Sequence, residues 1–141
     1  MRDVGEPEAY ARFDPLPPAE AGELLRTHRI GRVAWHGVGG LLVLPVAYAW
    51  HDGVIAFRTA PGGVLARLTE ATEIAFEVDD FDVETGTGWA VLVRGVARGV
   101  SDPDEQAAWQ ARLPQPWAPG PRDLVIRVDP VITTGRVVVR A

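Results

Sequence analysis

Leu41-Leu42-Val43-Leu44-Pro45-Val46-Ala47-Tyr48-Ala49-Trp50, followed by His51-Asp52-Gly53 and then Val54-Ile55-Ala56-Phe57-Arg58-Thr59, decides how the rest of the chain is read. Asp-Gly between two apolar runs is the strongest short-range hairpin signal, because the favoured two-residue turn needs positive φ at both positions. The two runs are therefore read as antiparallel strands. Upstream, Gly37-Val38-Gly39-Gly40 turns Ile30 to Trp35 back onto the same ten-residue run, so three strands follow one another. The central run is apolar at successive positions, which leaves both of its faces in need of cover. One face can fill a barrel; a second subunit or a flat ligand would cover the other.

Downstream, Ala60-Pro61-Gly62-Gly63 leads into Val64-Leu65-Ala66-Arg67-Leu68, whose apolar spacing predicts a short helix. Glu73 to Phe81 alternates, with Ile74, Phe76 and Val78 facing one way and Ala75, Glu77 and Asp79 the other, as in a strand with one wet face. Gly86-Thr87-Gly88 turns the chain into a fifth strand, Trp89 to Val100. Asp102-Pro103-Asp104-Glu105 opens a helix running to about Leu113, with Ser101 as the expected N-cap. Residues 114 to 121 form a proline-rich loop around Trp117, and strands Asp123 to Val128 and Ile132 to Val139 end the chain. At the other end, residues 1–15 read as a loose N-terminal arm and the stretch from Pro17 to about His28 as a short helix opened by proline and acids. Residues 16–141 then make one mainly β domain, about seven strands with three short helices, arranged as a closed or nearly closed antiparallel barrel.

Composition narrows the chemistry. The chain has 141 residues and no cysteine, and all 14 of its positive side chains are arginine. Thiolate metal sites, cysteine nucleophiles, Schiff-base lysines and the lysine of a phosphate-binding P-loop are thereby excluded. Ser101 is the only serine, which argues against a serine hydrolase. A net charge of −5 with scattered arginines disfavours a nucleic-acid partner. The N-terminus lacks the apolar core of a signal peptide and no apolar run approaches a bilayer span, so a cytoplasmic protein with no membrane partner is expected. Histidines 28, 36 and 51 have no metal-triad spacing, and the acids at 80, 82 and 84 lack the glycine placement of a calcium loop, so no metal site is assigned.

The most informative spot is Phe57-Arg58-Thr59-Ala60-Pro61-Gly62-Gly63-Val64. A strand ends in a guanidinium and a hydroxyl, a glycine pair turns the backbone closely, and a helix N-terminus follows, so the groups can converge on one anion, phosphate above all. The alternative is an arginine paired with the carboxylates of residues 77 to 84 beside a turn that only turns. Five tryptophans are many for this length. Trp35, Trp50 and Trp109 suit packing; Trp89 after a Gly-Thr-Gly turn and Trp117 in a proline-rich loop suit either packing or contact with a planar ligand.

Ile30-Gly31-Arg32-Val33-Ala34, Leu44-Pro45-Val46-Ala47-Tyr48, Phe57-Arg58-Thr59-Ala60-Pro61-Gly62 and Gly88-Trp89-Ala90-Val91-Leu92-Val93-Arg94-Gly95 follow one another in this order. Together they resemble the pyridoxamine 5′-phosphate oxidase-like family of flavin-nucleotide-binding split barrels, over residues 16 to 139. The resemblance implies a split barrel of six to seven strands, a homodimer, and FMN bound at the subunit interface by an oxidoreductase acting on a small organic substrate. It implies that Arg58, Thr59, Gly62 and Gly63 hold the cofactor phosphate and that Pro45, Val46, Ala47 and Tyr48 lie against the isoalloxazine, with Trp89 and Trp117 approaching from elsewhere in the dimer. A deazaflavin coenzyme is the alternative, with Arg32 or Arg94 meeting its longer anionic tail, as is a binding protein of the same fold without turnover, with or without a cofactor. Two residues depart from the family pattern. Val64 stands where relatives commonly carry a lysine, and no histidine follows His51, so the Arg-x-His substrate pair of the true oxidases is missing and vitamin B6 oxidation is not expected.

Overall fold

The computed structural model describes residues 11–116 and 122–140. Its strands are β1 (Ala11–Pro15), β2 (Ile30–Gly37), β3 (Gly40–His51), β4 (Val54–Thr59), β5 (Thr72–Asp82), β6 (Thr87–Gly99) and β7 (Leu124–Arg140). Helix α1 (Pro18–Thr27) precedes β2, a 3-10 turn (Val64–Thr69) follows β4, and α2 (Pro103–Arg112) links β6 to β7. Hydrogen bonding runs β7-β4-β3-β2-β5-β6 and returns to β7, every pair antiparallel, so six strands close a split barrel and β1 adds to β7 from outside.

The hairpin signals act as expected. Asp52 and Gly53 sit at φ 51° and 75°, the positive values that let a two-residue turn follow the right-handed twist of β3 and β4. Alternation then sorts the side chains. Val33, Tyr48, Ile55, Phe57, Phe76, Val78, Val91, Val93, Ile126 and Val128 fill the barrel, and Ala21 and Leu25 of α1 close over them. A smaller cluster holds α2 to the outside, where Trp109 and Leu113 pack on Ala56, Val100 and Val125.

Three expectations change. The final two strands are one, because Asp129-Pro130 does not break β7 but bends it: Arg94 pairs with Ile132 and Gly95 with Pro130, which leaves Val131 as the extra residue of a bulge. A bulge tolerates proline, and the bend lets β7 reach both β4 and β6. Residues 11–15, read above as the end of the arm, form β1. Ala11, Phe13 and Pro15 do alternate with Arg12 and Asp14, but five residues ending in proline are too short a run to announce a strand, and the pairing comes from the open edge of β7, Arg136 to Arg140. Asp102, not Ser101, caps α2: Pro103 occupies the first helical position, and the Asp102 carboxylate accepts from the Glu105 amide at 2.9 Å.

Candidate functional site

On β3, parity divides the apolar run. Val46 and Tyr48 face the interior, whereas Leu41, Val43, Pro45 and Ala47 alternate with them on the outer face. At the end of this outer row, Pro45, Val46 and Ala47 line a groove of about 220 Å³ with Arg58, Thr59, Leu65, Pro114, Gln115, Pro116 and Arg122. Five of the residues singled out in the sequence therefore meet in one place. Gly62 and Gly63 do not line it. They border a second, wider groove of about 710 Å³ on the other side of the 3-10 turn, together with Trp35, Leu42, Val64 and Arg67. Thr59 joins the two sides: it is the only buried polar residue among those described, and a Cβ placed on Gly63 would stand 3.5 Å from its hydroxyl.

Tyr48 is not brought to the groove. It is 1% exposed, its hydroxyl donates to the Leu25 carbonyl at 2.7 Å, and its ring meets Phe76 edge-on at 5.0 Å. Burial without a charged partner also pushes the phenol well above its usual range. Trp89 is half-buried on β6, edge-on to His28 at 4.6 Å, and is not among the residues lining the groove. Trp117 lies outside the described residues.

Arg58 is held by α2 rather than by the carboxylates of residues 77 to 84. Its Nη2 donates to the carbonyls of Gln110 and Leu113, at 3.2 and 3.0 Å, and its buried Nε has no partner. The carboxylates of residues 77 to 84 are paired elsewhere or open to solvent; Glu77 and Asp79 face Arg32 at 3.5 and 3.7 Å. Sequence reasoning missed Arg122 and Leu65, and the one available signal for Arg122 was its position just ahead of a strand, Leu124 onward, that pairs with the end of β4. In chemical character the groove fits a phosphorylated planar ligand. It has an apolar wall from β3 and Leu65, a hydroxyl from Thr59, and two arginines.

The groove opens onto the outer face of the barrel. Register lays Val43, Ala34, Ala75, Arg94 and Ile132 in one row across β3, β2, β5, β6 and β7, and Pro45, Arg32, Glu77, Leu92 and Thr134 in the next. Leu41, Val43 and Ile132 are 81%, 61% and 46% exposed on this face. Glu77 sits in its middle, above a hollow shared with Ala90, Leu92, Thr134, Gly135 and Arg136. Burial pushes its carboxyl up to about 7 and neighbouring Asp79 adds to the shift, against a smaller opposing pull from Arg32. The folded chain thus keeps Glu77 protonated where the unfolded chain, near 4.5, has ionised it. That contribution to stability is complete below about pH 4.5 and is lost as pH rises through about 7. Thermal denaturation from pH 4.5 to 8 should therefore show Glu77→Gln gaining on the parent as pH rises. Parallel profiles for the two proteins would mean that Glu77 titrates alike in the folded and unfolded chains.

Among the described residues, no helix is long and apolar enough to cross a membrane. The profile of the pyridoxamine 5′-phosphate oxidase family matches residues 17–137. A curated but uncharacterised protein of Mycobacterium tuberculosis is 34% identical over 134 residues, 92% of this chain and 88% of its own. Among solved structures, the FAD binding protein of Mycobacterium smegmatis superposes with a TM-score of 0.72 at 31% identity, over 88% of this chain and 98% of its own. A FAD-binding protein of Mesorhizobium loti superposes with a TM-score of 0.73 over 90% of this chain and 97% of its own; at 20% identity that likeness speaks for the fold alone.

Proposed function

The chain belongs to the pyridoxamine 5′-phosphate oxidase family, and from that premise we propose that it is a flavin-dependent oxidoreductase holding FMN in the groove between β3 and β4. The observation that carries this reading is the meeting of Pro45, Val46 and Ala47 with Arg58 and Thr59 in one groove. Pro45 and Ala47 would support one face of the ring system, and the positively charged end of the groove at Thr59 would take the phosphate. A bound flavin supplies hydride transfer to or from a small organic substrate. The chain's own part is to orient the ring, anchor the charged end and keep water out.

One chain does this incompletely. At about 220 Å³ the groove is smaller than the roughly 300–1,000 Å³ that encloses most of a small ligand. Pro45 belongs both to the groove and to the outer face with its exposed Leu41, Val43 and Ile132, so a second copy laid on that face would cover the open side of the ligand. The proposal therefore includes a homodimer, with Trp89 and Trp117 reaching the cofactor from the other subunit. FAD is the second reading, favoured by the 710 Å³ groove beyond Gly62 and Gly63, which could house a second nucleotide half. A deazaflavin tail would need Arg32, which adjoins Pro45 but faces Glu77 and Asp79.

Titration of cofactor-stripped protein with FMN, FAD and a deazaflavin coenzyme, followed by fluorescence, decides among these. Saturable flavin binding at one per chain, with a light-scattering mass twice the 15.3 kDa of the chain, is the expected result. A colourless monomer that takes up none of the three would end the reading.

A further inference from the structure

We propose that Arg122, on the connection between α2 and β7, is the cation that meets the flavin phosphate, and that Arg58 is a positioning residue that fastens the end of α2 beside the groove. The assignment rests on the flavin reading above and deepens it.

The hydrogen bonds of Arg58 support the first half of the division. Gln110 and Leu113 supply carbonyls from the last turn of α2 and the residue beyond it, where unsatisfied carbonyls and the negative end of the helix dipole favour a guanidinium. Nη2 is used twice, and Nε is buried away from solvent, so Nη1 alone is left for a ligand. The residues that follow Leu113 are Pro114, Gln115 and Pro116, three members of the groove wall. Holding Leu113 therefore sets where that wall stands.

Arg122 is placed by register. Leu124 pairs with Thr59, so β7 begins opposite the last residue of β4, and Arg122, two positions earlier, lines the groove together with Thr59. It takes part in no ion pair and no hydrogen bond among the described residues, whereas Arg98 and Arg127 are tied to Asp129 and Arg32 to Glu77. The residue expected to add a charge from the other flank, position 64, is a valine that lines the far groove. A guanidinium that lines the groove and has no partner among the described residues is thus the group best able to form charge-assisted hydrogen bonds to a phosphate.

FMN and riboflavin differ only in that phosphate, so their affinities separate the two roles. Arg122→Ala should weaken FMN about tenfold, leave riboflavin within about twofold, flatten the salt dependence of FMN binding and keep the melting temperature of the parent. Arg58→Ala should lower the melting temperature and weaken both ligands together. Arg58→Lys, which keeps the charge, should lose less stability and keep the parent's ratio of FMN to riboflavin affinity. An Arg122→Ala protein that binds FMN like the parent overturns the assignment while leaving the flavin reading intact. So does an Arg58→Lys protein that loses FMN selectively at an unchanged melting temperature. A parent that binds neither flavin overturns both.

Discussion

Phe76→Ala is expected to cost about 3–5 kcal/mol, a large part of the roughly 5–15 kcal/mol that holds a domain of ordinary stability together. Phe76 is fully buried on β5, and its ring packs edge-to-face with Tyr48 at 5.0 Å. It reaches the barrel axis over Gly31, where any Cβ would collide with the ring, so glycine on β2 and phenylalanine on β5 fit each other as a pair. Tyr48 in turn donates to Leu25 at the end of α1. Truncating Phe76 therefore opens a cavity where β2, β3 and β5 meet and loosens the contact that seats α1. In a domain of this size the melting temperature should fall by about 10 °C or more. A fall of only two or three degrees would show that the interior refills around the gap and that the Gly31–Phe76 fit is not what fixes the barrel.

The second large effect is on binding. Ala47→Glu should reduce flavin affinity at least about a hundredfold, or roughly 2.7 kcal/mol, while the melting temperature stays within a few degrees of the parent. Ala47 lies on the outer side of β3 and lines the groove beside Arg58, Thr59 and Arg122. A carboxylate there would occupy the space of the ring system, and it would either repel the phosphate or pair with an arginine meant for it. The barrel interior is untouched, because the neighbours of Ala47 that fill the core are Val46 and Tyr48. Ala47→Ser, which adds one small hydroxyl, should change affinity less than threefold. Equal loss in both variants would mean that backbone distortion, not charge and bulk, is responsible. Retained affinity in Ala47→Glu would place the cofactor elsewhere.

Much of this architecture is visible in local sequence. Asp52-Gly53 and the glycines of residues 37–40 mark the two hairpins, and Ile74, Phe76 and Val78 announce by alternation which side of β5 is inside. Long-range pairing is what local reading could not reach. Pro130 looks like a strand end until β7 is known to bulge there against β6, and the short stretch of residues 11–15 becomes a strand only because β7 offers an edge. The site was legible in its parts. Taking Pro45, Val46, Ala47 and Tyr48 as one contact surface ignored the two-residue period that sends Tyr48 inward. Gly62 and Gly63 were grouped with Arg58 by proximity in sequence, yet the 3-10 turn separates two grooves there. Arg122 carries no motif at all; the pairing of Leu124 with Thr59, sixty-five positions apart, is what brings it to the groove.

The most direct test of the account is a crystal structure of the protein with FMN bound. The ring system should lie against Pro45 and Ala47, with the phosphate at Thr59 within hydrogen-bond distance of Arg122 and a second copy of the chain closing the open side. Flavin found instead in the wide groove between Trp35 and Gly62, or held within a single chain with the outer face of the barrel bare, would contradict it.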